Sequence, residues 1–113
     1  MSIAWRQWLP FQPWRIVDIV ESADEIPNKL PRNGAVLVSS GGPPKWVSID
    51  CPCRKGHRVL LNTDQTRRPA WTLTQVANRK LSISPSVDFH DGPRRCHYFV
   101  RDGRIQWAKD TIR

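Results

Sequence analysis

Long apolar runs are missing from this chain of 113 residues. No segment could span a bilayer or act as an N-terminal signal peptide, so the expected location is cytoplasmic and the expected partners exclude a membrane. Cysteine is scarce, with three residues. An odd number cannot all pair in disulfides, and in a reducing cytosol such thiols are free to hold a metal. Helical periodicity is almost absent, which argues against a bundle or a helix-wrapped parallel sheet. There is no glycine-rich phosphate loop, no His-Glu-x-x-His helix and no Gly-x-Ser-x-Gly elbow, so P-loop nucleotide chemistry, zincin proteolysis and the α/β-hydrolase arrangement are set aside. Acidic residues are outnumbered, with ten Asp and Glu against eighteen Lys and Arg. The imbalance lies wholly in residues 51–113, which hold thirteen basic residues against five acidic, whereas residues 1–50 hold five of each.

That net charge of +8 favours an anionic partner, either an acidic protein surface or nucleic acid. Basic pairs such as Arg67-Arg68, Arg79-Lys80 and Arg94-Arg95 usually belong to solvated turns, which makes nucleic acid the secondary reading. Every cysteine falls in one of two small clusters, Cys51-Pro52-Cys53-Arg54-Lys55-Gly56-His57 and Cys96-His97. Thiolate and imidazole together suit tetrahedral Zn2+. Cys51 and Cys53 diverge on an extended segment unless the chain turns, and Gly56 offers a bend that could bring His57 back to the same point. Adjacent Cys96 and His97 also diverge on a strand, so only one of them should reach a metal. The first choice of ligands is Cys51, Cys53, His57 and Cys96, leaving His97 free for chemistry. In the alternative, His97 is the fourth ligand and His57 is a solvated loop residue. Asp50, Asp88 and Asp91 could supply a base to a catalytic zinc, but a thiolate-rich ligand set is weakly Lewis acidic and points to a structural ion.

Six tryptophans are many for this length. Trp46, Trp71 and Trp107 sit in segments that read as strands and suit a thin core. Trp5, Trp8 and Trp14, with Phe11, either pack over a sheet edge or present a patch for a small protein partner.

Residues 1–13 read as an irregular, Trp-rich arm. A β-branched strand follows over Arg15–Val20, and Ser22-Ala23-Asp24-Glu25 has capping-box spacing for a helix held to a turn or two by Pro27 and Pro31. Asn33-Gly34 predicts a turn before a strand at Ala35–Ser39. Strands at Lys45–Ile49 and Arg58–Asn62 flank the first cluster as a strand, knuckle, strand unit. Trp71–Thr74 and Leu81–Ser84 predict a hairpin turning at Asn78-Arg79-Lys80. Tyr98–Arg101 and Arg104–Trp107 predict another around Asp102-Gly103, whose residues tolerate positive φ. The expected fold is mainly β: one domain over 1–113, a small zinc-stabilised antiparallel β domain with a minor helical turn, whose zinc-containing core spans 45–107 and whose metal clusters lie where strands begin or end.

Alternation in Leu81-Ser82-Ile83-Ser84-Pro85-Ser86-Val87 puts Ser82, Ser84 and Ser86 on one side, opposite Leu81 and Ile83. A serine becomes a nucleophile when a base, usually histidine, reaches its hydroxyl. His97 and His90 are the nearby candidates, and one short loop separates Ser86 from His97.

Four segments, Cys51-Pro52-Cys53, Arg68-Pro69-Ala70-Trp71-Thr72-Leu73, Leu81-Ser82-Ile83-Ser84-Pro85-Ser86-Val87 and the run from Cys96-His97-Tyr98-Phe99 to Trp107, resemble a bacterial zinc-binding family. Its members share a Cys-Pro-Cys knuckle, an Arg-Pro-x-Trp-x-Leu strand, a Pro-Ser-Ile/Val step and a terminal His-Phe hairpin. That family is encoded in anti-phage operons beside ubiquitin-like proteins and relatives of ubiquitin-activating, ubiquitin-conjugating and JAB-type deubiquitinase enzymes. The resemblance implies a deubiquitinase-like serine peptidase that trims or removes a ubiquitin-like modifier, with Ser86 as nucleophile and His97 as base, Asp88 or Asp91 being candidates for a third member. One departure stands out. The family's knuckle more often runs Cys-Pro-Cys-Gly with a further cysteine, whereas here Arg54 and Lys55 follow and His57 would substitute. Two rival expectations remain: a noncatalytic zinc-binding adaptor for proteins of the ubiquitin-like pathway, and a zinc-ribbon-like nucleic-acid binder.

Overall fold

The computed structural model describes residues 12–76 and 80–109, without the side chains of Val76 and Asp91. The N-terminal arm with Trp5, Trp8 and Phe11, and the turn at Asn78-Arg79, lie outside the described residues.

Among the described residues there are eight strands and one short helical turn: β1 (Arg15–Val20), the 3-10 turn (Ala23–Glu25), β2 (Gly34–Val38), β3 (Trp46–Asp50), β4 (Arg58–Asn62), β5 (Thr72–Val76), β6 (Lys80–Asp91), β7 (Arg94–Arg101) and β8 (Arg104–Trp107). They form two four-stranded sheets, ordered β1-β2-β3-β4 and β5-β6-β7-β8. The mainly β expectation holds, with one refinement. β1 and β2 pair in parallel, and the other pairs are antiparallel. A parallel pair needs a crossover of a dozen or so residues, and here it carries the helical turn. The Glu25 carboxylate caps that turn by accepting the N–H groups of Glu21 and Ser22, at 2.9 and 3.3 Å.

The core fills the space between the sheets. Ala35, Val47, Ile49, Val59 and Leu61 from the first sheet meet Leu81, Ile83, Val87, Tyr98 and Val100 from the second, with Trp71, Leu73, Phe89, Ile105 and Trp107 packed around them. Period-two alternation dictates this, since each strand sends every second side chain inward. Of the tryptophans, Trp71 and Trp107 pack on the core as expected, while Trp46 lies half-buried on the opposite face of β3. Trp14 is not a surface anchor: it is buried in the core. Its backbone also joins the two sheets. The Trp14 N–H donates to the Gly103 carbonyl at 2.8 Å, and its own carbonyl accepts from Leu81 N–H at 2.9 Å. Gly103 has φ +76°, and a Cβ there would lie 2.7 Å from Cβ of Pro13. Only glycine meets both demands. The preceding Asp102, at φ 51°, completes the two-residue turn of the β7–β8 hairpin, closed by Arg101 opposite Arg104.

No helix among the described residues is long and apolar enough to cross a membrane.

Candidate functional site

Strand β7 carries the second cluster, Cys96-His97. Its odd and even positions face opposite ways: Cys96, Tyr98 and Val100 are buried, whereas His97 and Phe99 are half-buried on the outer face and Arg101 is exposed. Cys96 therefore lies within β7 and not at a strand end, as the sequence suggested. Its cross-strand partner is Phe89, and that of His97 is Asp88.

On the inner side, the β3–β4 knuckle brings the remaining thiols to Cys96. The chain turns tightly after Cys51, with Arg54 N–H on the Cys51 carbonyl at 3.0 Å and Cys51 N–H on the His57 carbonyl at 2.8 Å. Two left-handed residues make this possible, Arg54 at φ 61° and Gly56 at φ 91°. The turn resolves the divergence expected of an extended Cys-Pro-Cys. The ligand-type atoms of Cys51, Cys53, His57 and Cys96 all lie within 4.8 Å of one another. His57 packs its ring on Phe89 with centroids 4.9 Å apart and sets Nδ1 3.4 Å from Cys53 Sγ. Tetrahedral zinc with sulfur and nitrogen ligands would need donor separations of about 3.5–3.8 Å, so this group could hold a metal ion with little adjustment. His57, not His97, is the histidine that joins the cysteines.

The surroundings of Cys51 disfavour a bare thiolate. The Cys51 thiol is pushed up to about 12, chiefly by burial, with the Cys53 backbone N–H opposing the rise and the Cys53 and Cys96 side chains adding to it. Tyr98 is fully buried against Cys51, and burial also raises its phenol above the ordinary range. Without a cation the Cys51 sulfur keeps its proton at neutral pH, and a bound divalent ion would displace it.

On the outer side, Ser86 Oγ lies 2.9 Å from Nε2 of His97. Two features put it there. Ile83 faces Val100 and Val87 faces Tyr98, so β6 spends two more residues than β7 over this stretch, bulging at Ser84-Pro85-Ser86. Indole Nε1 of Trp71 then donates to the Ser86 carbonyl at 3.1 Å and holds the bulge. The other candidate base, His90, turns instead to Asp88, with Nε2 3.2 Å from Oδ1. Asp88 faces His97 across the ladder, but its oxygens are gripped by Arg95 at 2.9 and 2.7 Å. Hydrogen bonding from Arg95 is the main cause that holds the Asp88 carboxyl below its ordinary value. The side chain of Asp91, the other candidate third member, lies outside the described residues.

Clefts lie beside both the knuckle and the Ser86 bulge. The larger, about 540 Å³, opens beside the knuckle among Lys29, Arg32, Arg54 and Arg58, and Ser86 is not in its lining. The smaller, about 360 Å³, is lined by Ser86 itself, with Ser82, Pro85, Phe99 and Arg101. The smaller one lies beside the Ser86–His97 contact, and a hydroxyl within reach of an imidazole is a chemical feature that cleft volume alone is not. Phe99 and Arg101, which line this cleft, were not singled out in the sequence, although the alternation that separates Cys96 from His97 places them on the His97 face.

A family model described as "Bacterial ubiquitination-like system serine protease (BubE)" matches residues 22–108, a span that takes in β2 to β8 and both clusters. No curated protein and no solved structure matches the chain.

Proposed function

We infer the function from one premise: the chain belongs to the family of bacterial ubiquitination-like system serine proteases. On that footing it hydrolyses the bond at the C-terminus of a ubiquitin-like modifier, with Ser86 as the nucleophile and His97 as the general base. The observation that carries this reading is the 2.9 Å contact between His97 Nε2 and the Oγ of Ser86, a residue that lines an open groove. A base at that distance can take the hydroxyl proton as the oxygen attacks.

The steps follow from those two atoms. Ser86 Oγ forms a bond to the modifier's terminal carbonyl carbon while its proton passes to Nε2. The tetrahedral intermediate then collapses, the bond to the leaving amine breaks, and that amine takes the proton from Nε2. Water attacks the resulting ester, gives its proton to Nε2, and the acid is released as Oγ recovers its hydrogen. His97 must present an unprotonated Nε2, so its own proton sits on Nδ1. Asp88 shares the outer face, but its bidentate hold on Arg95 argues for a role in fixing the strand pair and against orientation of the imidazole.

Cys51, Cys53, His57 and Cys96 would hold Zn2+ as a structural ion. A soft donor set with three sulfurs favours zinc over hard cations, and thiols that stay reduced suit the cytoplasm. The ion would tie the knuckle to β7 one residue before His97. Partners are the modifier and the enzymes of its conjugation pathway.

The test is hydrolysis of a ubiquitin-like protein bearing a short C-terminal extension, followed by intact mass. Ser86→Ala and His97→Ala should each lose at least about 10³-fold in kcat/KM while retaining the wild-type metal content. Normal cleavage by both variants would dismiss the mechanism.

A further inference from the structure

His97, Phe99 and Arg101 occupy three successive outward positions of β7, a row of about 13 Å at the rise of an extended strand. That is the length of a four-residue extended peptide. The row is continuous. The His97 and Phe99 rings stand 5.9 Å apart, and the Arg101 guanidinium lies over the Phe99 ring, 4.4 Å from its centroid. Arg101 is held from its other side by Gln106, whose Oε1 accepts from Nη1 at 3.2 Å. The turn beyond is fixed as well, with Asp102 N–H on Ser82 Oγ at 2.9 Å. No carboxylate pairs with Arg101 among the described residues. The result is a cation pre-positioned on an aromatic floor, in the groove that Ser86 lines.

Stacking leaves the edge of a guanidinium free for the forked hydrogen bonds that carboxylates accept. A lysine would neither stack as a plane nor present such a fork. Phe99 between the cation and the histidine supplies an apolar surface for the intervening peptide residues.

We propose that Arg101 is a specificity-determining residue that binds a carboxylate of the substrate peptide within about four residues of the scissile bond, the peptide lying extended over Phe99. This rests on the serine peptidase reading of Ser86 and His97. The carboxylate could be an acidic side chain or the α-carboxylate of a short C-terminal extension, and the two sources are separable by experiment.

Binding tests the inference apart from turnover. Fluorescein-labelled peptides spanning the modifier's C-terminus and a short extension are titrated against Ser86→Ala protein, in matched pairs: free acid against C-terminal amide, and Glu against Gln at each position near the junction. One pair should differ by about tenfold or more in Kd, as expected for a charge-assisted hydrogen bond. In Ser86→Ala/Arg101→Gln that ratio should fall to about one, and Arg101→Glu should reverse it toward a Lys-bearing peptide. General damage to the groove would weaken both members of a pair alike and leave the ratio in place. Thermal melts check that the variants fold. No binding of any peptide, equal binding of all pairs, or a ratio that survives Arg101→Gln overturns the inference. Cleavage of the same peptides by the wild type is scored separately. Failure there removes the peptidase reading, whereas a lost ratio with intact cleavage removes only the role of Arg101.

Discussion

Cys96 and His97 are neighbours in the chain, yet one serves the interior and the other the surface. Inside, the cysteine cluster is enclosed by Tyr98, Phe89 and the knuckle, and burial raises the Cys51 thiol. Outside, Ser86 lines an open groove built from β6 and β7, with His97 in contact with its hydroxyl. The contrast shows how a thin domain keeps two side-chain clusters on opposite faces of one strand. One strand offers its inward positions to cohesion and, under the proposed function, its outward positions to chemistry, so the two tasks would use adjacent residues without competing for space.

The comparison breaks most visibly if the inner side is removed. Cys96→Ser should abolish metal binding, measured by native mass spectrometry, and cost at least about 3 kcal/mol in urea unfolding. Activity would fall only as far as folding does. A Cys96→Ser protein that melts normally and retains its metal would erase the distinction between the two faces.

A smaller effect should follow from cutting the join between the sheets without touching either cluster. Gly103→Ala places a methyl against Pro13 and forces φ +76° on a residue that resists it. The expected loss is about 1–3 kcal/mol. Metal stoichiometry should be unchanged, and a loss of metal in the folded variant would mean that the hairpin supports the cysteine cluster directly.

The smallest effect concerns the outer face. The folded-state pKa of Asp88 lies below its ordinary 3.8, so the stability it contributes is present above that value and fades as pH falls through the lowered range. Wild type should lose slightly more stability than Asp88→Asn on acidification below about pH 4, while near neutrality the two should differ by less than about 1 kcal/mol because the pair with Arg95 is part-exposed. A larger gap in activity than in stability would instead give Asp88 a part in orienting His97.

Much of this was legible from local rules. Asp102-Gly103 announced its hairpin because two positive φ values are a local demand, and the divergence of Cys96 from His97 followed from strand parity alone. The fourth member of the cysteine cluster stayed open between His57 and His97, because only the fold decides whether the knuckle curls back onto β7. Non-local features were hidden. Nothing in Arg15–Val20 signals parallel pairing with β2, and the sequence left Trp14 open between packing over a sheet edge and a partner-binding patch, whereas the fold buries it in the core. β6 was expected to end near Pro85, since proline usually stops a ladder; the bulge lets the strand continue to Asp91.

That bulge also sets a rule of arithmetic for the molecule's future. Its excess over β7 is an even number of residues, so inward and outward positions resume in phase on either side, with Ile83 and Val87 both buried and the Ser86 hydroxyl turned outward. An odd excess would shift one arm of the strand by half a period, turning Val87 to water and Asp88 into the apolar interior. Descendants of this chain can lengthen or shorten this stretch in steps of two, whereas a change of one would exchange the wet face for the dry one.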